Sequence, residues 1–199
     1  MSAESLKNLT VKIDRLRAIF VLNTYSTLGR KRLSSMLNVG EGYIRNIISS
    51  LKSDGLVRED RLGNSLTGRG KKAAELLSQY LVPYFDFEAA GFLNSKAVLV
   101  KGASRYIKKG LEERDAAIRM GATGTLIITY SGGALWFPEL ANLSEENPEL
   151  AESIKQRIAP RENDVIIISW SSSAKDSERG VLNAAIEIMK NAGKLRVLI

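Results

Sequence analysis

The pattern of hydrophobic residues changes near Pro83, and this change limits the folds open to the chain. Before it, apolar residues recur at spacings of three and four, as in amphipathic helices, and two short extended runs indicate one hairpin. After it, Val- and Ile-rich blocks of strand length alternate with helical blocks. Because 199 residues can bury two small cores, we predict a domain over residues 1–82, a linker over 83–95 and a second domain over 96–199.

Four helices and a hairpin are expected in the first domain. The third helix has the clearest pattern, with an apolar stripe made of Ile44, Ile47, Ile48 and Leu51. Gly55 follows it as the terminating residue. The expected elements are helices at about 8–23, 30–38, 41–53 and 68–81, and hairpin strands at 56–59 and 64–67 with a turn at Gly63-Asn64.

The second domain is predicted to be α+β, with one mixed or antiparallel sheet covered by helices. Gly132-Gly133 between two strand-like runs indicates a hairpin, while other strands are joined through helices. Asn147 and Asp176 are the expected helix caps, and "ERD" at 113–115 is expected on a solvated face. The expected strands are 96–100, 125–130, 134–137, 164–170 and 195–199, with helices over 106–121, from 147 onward and over 176–192.

The positive charge of the chain is confined to its first part. The net charge is +7, and residues 1–85 hold 14 Lys+Arg against 7 Asp+Glu, whereas residues 86–199 hold 15 of each. A basic excess restricted to one segment is typical of a surface that meets a polyanion. The outer face of the third helix is small and polar, because it carries Gly42, Asn46, Ser49 and Ser53.

One segment of this domain resembles a known family. "LSSMLNVGEGYIRNIISSLKSDGLV" at 33–57 is similar to the helix-turn-helix and wing entry of MarR-like winged-helix transcriptional regulators. "LTGRGKKAAELL" at 66–77 resembles their second wing strand and the following helix, so the resemblance covers about residues 10–80. The whole chain resembles uncharacterised archaeal winged-helix proteins with an appended α+β domain. The matching apolar and glycine positions are Leu33, Leu37, Val39, Ile44, Leu51, Gly55 and Leu56.

The resemblance implies that the protein binds double-stranded DNA, and the residue types agree with this function. Gly42 allows a close approach to the groove, Asn46 suits adenine, and Arg45 suits guanine or phosphate. Tyr43 and Ser49 are expected to contact phosphates or bases. The predicted phosphate contacts are Arg30, Lys31, Arg32, Arg61, Arg69, Lys71 and Lys72. Against this, Glu41, Glu59 and Asp60 place negative charge near the same surface.

Three loops of the second domain follow predicted strands and carry small or hydroxylated residues. We expect the first and third to form one site for a small polar or anionic ligand, made of Gly102, Ser104, Arg105, Ser171, Ser172 and Ser173. The second, at 131–133, is interpreted as a hairpin turn. A homodimer is expected, because one winged helix offers few DNA contacts and paired half-sites supply more. The second domain is expected to serve dimerisation, ligand sensing or both.

Composition weighs against other classes of function. The chain has no cysteine, so disulfides, thiolate zinc sites and cysteine nucleophiles are excluded. It has no histidine either, so metalloenzyme or Ser-His chemistry would need unusual substitutes, and we expect neither an enzyme nor a cofactor. No apolar run reaches the length of a membrane span or a signal-peptide core, so we expect a cytoplasmic protein. Two alternatives stay open: a winged-helix adaptor that binds proteins, and an enzyme acting on a small phosphorylated substrate.

Overall fold

The computed structural model describes residues 2–89, 91–139 and 141–194, and the chain divides after Ser78 into two compact units. We call them the N-terminal unit and the C-terminal unit. Within the described residues the fold is mixed α+β, with eight α-helices and two antiparallel sheets. No helix in these ranges combines the length and the apolarity needed to cross a membrane.

The N-terminal unit contains four helices and a three-stranded sheet. Its elements are α1 (Ala3–Tyr25), β1 (Thr27–Leu28), α2 (Arg30–Leu37), α3 (Glu41–Ser53), β2 (Val57–Asp60), β3 (Gly63–Leu66) and α4 (Gly68–Ser78). The strand order is β1-β3-β2, with both pairs antiparallel. The hairpin turn falls on Arg61-Leu62 and not on Gly63-Asn64, because Gly63 pairs with Asp60 and the Asp60 carboxylate accepts the Leu62 amide hydrogen at 2.8 Å.

A buried ion pair joins the first three helices. Asp14 and Arg17 on α1 are 1% and 0% exposed, and their side chains meet at 2.8 Å. The Arg17 guanidinium also donates to the carbonyl of Leu37, the last residue of α2, at 2.9 Å. The Tyr43 hydroxyl on α3 donates to the other Asp14 oxygen at 2.9 Å. This network therefore connects α1, α2 and α3 through buried polar contacts.

The C-terminal unit is built on a five-stranded antiparallel sheet. Its elements are β4 (Leu81–Tyr84), β5 (Lys96–Val100), a short 3₁₀ helix (Ser104–Tyr106), α5 (Leu111–Arg119), β6 (Gly124–Ser131), β7 (Ala134–Trp136), α6 (Leu143–Glu146), α7 (Pro148–Arg157), β8 (Val165–Trp170) and α8 (Ala174–Asn191). The strand order is β4-β5-β8-β6-β7, and every neighbouring pair is antiparallel.

Helices cover both faces of this sheet. On one face, Leu99, Ile166 and Ile168 belong to a buried cluster that includes Leu150 and Ile154 of α7. The alternate strand residues point to the other face, where α8 lies on β8 and β5, and α5 lies on β6. Since both faces are buried, the central strands β5 and β8 are apolar at most positions, which explains runs such as 165–168.

Two boundaries of the C-terminal unit differ from those that the sequence pattern predicts, and a third prediction is not tested. The linker expected at 83–95 begins with strand β4, which pairs with β5; Pro83 is tolerated there because an edge strand need not donate from every amide. The helix expected from residue 106 begins at Leu111, since Gly110 has a φ of +74°, outside the helical region. The strand expected at 195–199 lies outside the described residues.

Replacing Arg17 by methionine should leave the Asp14 carboxylate buried beside an apolar side chain. We expect the free energy of unfolding of the N-terminal unit to fall by about 3–5 kcal/mol, the usual cost of breaking a buried pair. Native-state hydrogen exchange of the α1 and α3 amides measures this change. The double variant Asp14→Leu/Arg17→Met should recover most of the loss, and unchanged protection in the single variant would contradict a structural role for the pair.

Candidate functional site

The outer face of α3 is fully available to solvent. Its inner stripe is buried, with Ile44 and Leu51 at 0% exposure. Gly42, Arg45 and Asn46 are exposed, as is Ser49 one turn further on. A side chain added at Gly42 would meet no other atom within 4 Å, so this end of the helix is open to close approach. The structure thus places four of the predicted DNA-binding residues on one accessible helical face.

Tyr43 does not share this face, so the structure places it apart from the other predicted DNA-binding residues of α3. The residue is half-buried, and its hydroxyl is held by the Asp14 carboxylate at 2.9 Å. A hydroxyl that donates to a buried charge would leave that charge poorly satisfied if it turned toward solvent. Tyr43 therefore orients α3 from the inside.

A basic cluster forms where the start of α2 meets the tip of the β2–β3 hairpin. β1 leads directly into α2, and its residue Leu28 pairs with Asn64 beside the hairpin turn. The contact is close, because a Cβ on Gly63 would lie 2.7 Å from the Leu28 backbone. Consequently the start of α2 and the hairpin tip, which together carry four exposed cations, lie at the same end of the unit. The basic cluster consists of Arg30, Lys31, Arg32 and Arg61.

The acidic residues near this surface each have a local role. Glu59 pairs with Lys52 at 2.8 Å. The hydrogen bond from Lys52 and its charge, together with the nearby Arg30, hold the pKa of Glu59 below its usual value. Asp60 closes the hairpin turn, and Glu41 lies in the first turn of α3, where the helix dipole favours negative charge. These positions account for the negative charge without using the outer face of α3.

The predicted phosphate contacts on α4 lie apart from the basic cluster. α4 packs on α1 and β3. Arg69 lies beside the turn that ends α3, since a Cβ on Gly55 would be 3.9 Å from its guanidinium. Lys71 and Lys72 are exposed on α4. The seven cations predicted from sequence thus belong to two groups. Four form the basic cluster, and the other three, Arg69, Lys71 and Lys72, lie on α4.

The ligand site predicted from the strand-end loops is wrong, because its two halves lie at opposite ends of the sheet. β5 and β8 are antiparallel, with Val100 paired to Val165 and Lys96 paired to Ser169. The end of β5 therefore adjoins the start of β8. Residues 102–105 follow one strand and 171–173 the other, so the length of the strands separates them. The predicted site would require β5 and β8 to be parallel, because only then would both loops lie at the same edge of the sheet.

Both loops also use their polar groups internally. The Gly102 amide donates to Asp164 at 2.9 Å, and the Ser104 hydroxyl donates to Asn163 at 3.2 Å. At the other end, the buried Ser171 hydroxyl donates to the Gly121 carbonyl at 3.0 Å. Ser173 is the N-cap of α8, while Asp176, the predicted cap, lies in its first turn. The loops are therefore structural connections with Arg105 exposed beside one of them.

Two features have little signal in the sequence. Asp14 and Arg17 lie among apolar residues of α1. Two opposite charges on an apolar helix face are the one sequence feature that indicates this buried network. Glu113, expected on a solvated face, is 3% exposed in α5. Its burial depends on α8, which packs against α5 from much later in the chain. The described residues contain no cluster of three or more acidic side chains arranged to hold a metal ion.

The described residues form a mixed α+β protein with a basic helical unit and a unit built on an antiparallel sheet. Residues 93–188, which span β5 to most of α8, match the family model described as Domain of unknown function (DUF4443). The chain is also similar to the solved structure of hypothetical protein PH0730 from Pyrococcus horikoshii OT3, with 27% identity and a TM-score of 0.76. That similarity covers 94% of this chain and 98% of the other. No curated protein matches the chain.

Spin labels can measure the separation of the two strand-end loops. The chain has no cysteine, so Ser104→Cys/Ser172→Cys introduces two labelling sites without background. From the strand pairing and a rise of about 3.3 Å per residue, we expect a separation on the order of 20 Å. Double electron–electron resonance measures it. Strong dipolar broadening, as from labels within about 10 Å, would contradict the strand order, since antiparallel β5 and β8 cannot bring these loops together.

Proposed function

We propose that the N-terminal unit is a winged helix that binds double-stranded DNA, and that the protein is a transcriptional regulator. One observation carries the proposal: the small polar face of α3 is exposed in the unit that also holds the basic cluster and the whole net positive charge. A groove-reading helix needs an apolar inner face and an outer face small enough to reach base edges. α3 has both.

The connection between α2 and α3 supports this interpretation. Asn38 has a φ of +49°, and its amide donates to carbonyls at the end of α2, so the chain turns sharply before α3 begins at Glu41. A short turn between two packed helices is the arrangement of a helix-turn-helix. In this proposal α3 enters the major groove with Asn46 and Arg45 toward the bases.

The basic cluster supplies the backbone contacts in the proposed complex. Arg61 at the hairpin tip and Arg30 at the start of α2 would each neutralise a phosphate beside the groove that α3 occupies. One unit offers few such contacts, so we propose a homodimer on paired half-sites. A protein-binding adaptor would have no need for the confined positive charge.

Removing two cations of the basic cluster should weaken DNA binding and its salt dependence. For Arg30→Gln/Arg61→Gln, the slope of log affinity against log salt should fall in magnitude by about 2 per bound protomer, since each phosphate contact contributes about 0.9. Fluorescence anisotropy on a random duplex measures this change.

The matched control is Arg119→Gln/Lys155→Gln, which removes the same charge from exposed positions of the C-terminal unit. It should leave the slope unchanged. Equal effects of the two double variants would contradict a localised DNA surface. No binding of the wild type at low salt would favour the adaptor function instead.

Asn46→Ala should reduce sequence preference. On a duplex selected from random sequence we expect a loss of about 1–3 kcal/mol, the value of one bidentate base contact, with little change on unselected DNA. Asn8→Ala, an equally conservative change at an exposed position of α1, is the control. If Asn46→Ala lowers affinity equally on both duplexes, then α3 does not read bases.

A further inference from the structure

An open cavity in the C-terminal unit lies beside the N-terminal end of α5. Its volume is about 830 Å³, which is within the range of small-molecule sites. The segment 105–113 forms most of its wall, and Glu139 and Asn191 complete it. Gly110 fixes this segment against the sheet, because a Cβ there would be 3.0 Å from Ile127. The cavity wall is therefore packed against β6 at Gly110.

Three cations line the cavity within five residues. They are Arg105, Lys108 and Lys109, all exposed, and in the described ranges none of them forms an ion pair. The Arg105 guanidinium lies 4.8 Å from the centre of the Tyr106 ring and donates to its hydroxyl at 2.6 Å. This double contact holds a planar guanidinium at the cavity, a geometry that suits a carboxylate.

Three carboxylates line the same cavity. Glu112 and Glu113 come from the first turn of α5, and Glu139 comes from the loop after β7. Glu113 is 3% exposed. Burial raises the pKa of Glu113, and the nearby Glu112 and Glu187 raise it further. A buried carboxylate of this kind is stabilised in its ionised form by an incoming cation.

The two sets of charges do not neutralise each other. No ion pair among the described residues joins a cavity cation to a cavity carboxylate. A purely anionic ligand would be repelled by the three carboxylates, and a purely cationic ligand would be repelled by the three cations. A ligand with one group of each sign is complementary to both sets.

We propose that this cavity binds a small zwitterion of the α-amino-acid type. Its carboxylate lies against Arg105, Lys108 and Lys109, and its ammonium group lies against Glu113 and its acidic neighbours. The proposal goes beyond DNA binding and does not depend on it. It retains Arg105 from the ligand site expected from sequence and replaces the serine loop at 171–173 with the acidic residues of α5.

The test is a binding screen of the full-length chain without DNA. Each of the common L-α-amino acids is added at millimolar concentration in a thermal-shift assay, and compounds that raise the melting temperature are measured by calorimetry. The N-acetyl derivative and the decarboxylated amine of each such compound are the single-charge controls. We expect the amino acid to bind and both controls to lose roughly tenfold or more in affinity, since each lacks one charged contact.

Variants locate the site. Lys108→Gln/Lys109→Gln and Glu113→Gln should each weaken binding roughly tenfold or more, and Lys155→Gln on α7, outside the cavity, should not. Glu113→Gln is isosteric and removes a buried charge, so we expect it to fold. The proposal is overturned if no amino acid binds, if the single-charge controls bind as well as the amino acid, or if the cavity variants bind like Lys155→Gln.

Discussion

The buried pairing of Asp14 with Arg17 determines how the N-terminal unit presents its surface. An ion pair without solvent is tolerated where its geometry is good and its remaining hydrogen-bonding groups are satisfied, and here Leu37 and Tyr43 supply two of the contacts. These contacts constrain α2 and α3 relative to α1 more tightly than apolar packing alone, because hydrogen bonds are directional. With the inner side of α3 held in this way, its polar face is directed outward.

In the C-terminal unit, strand direction is the corresponding constraint. Antiparallel pairing brings the end of each strand beside the start of its neighbour, so loops that follow two neighbouring strands lie at opposite ends of the sheet. This separates residues 102–105 from 171–173. It leaves Arg105 beside α5, where cations and carboxylates surround one cavity. The charged residues that line this cavity are therefore grouped around the start of α5.

Local patterns predicted much of the fold but not the contacts between distant segments. The stripe of α3, the glycine after it and the Asn147 cap were predicted because a few neighbouring residues determine them. β4 was missed because its evidence is its partner β5. The prediction that residues 102–105 and 171–173 form one site is wrong for the same reason, since periodicity carries no information on strand direction. The sequence indicates which residues form the basic cluster. Only the structure shows that the hairpin tip, which carries Arg61, lies beside the start of α2.

The central claim is that the N-terminal unit binds DNA through the outer face of α3 and the adjoining basic cluster. An NMR titration of the isotopically labelled full-length chain with duplex DNA tests it most directly. We predict that the amide resonances which shift first belong to residues 42–49, 30–32 and 61–63, while those of the C-terminal sheet stay unchanged. Shifts centred in residues 79–194, or none at low salt, would contradict the account.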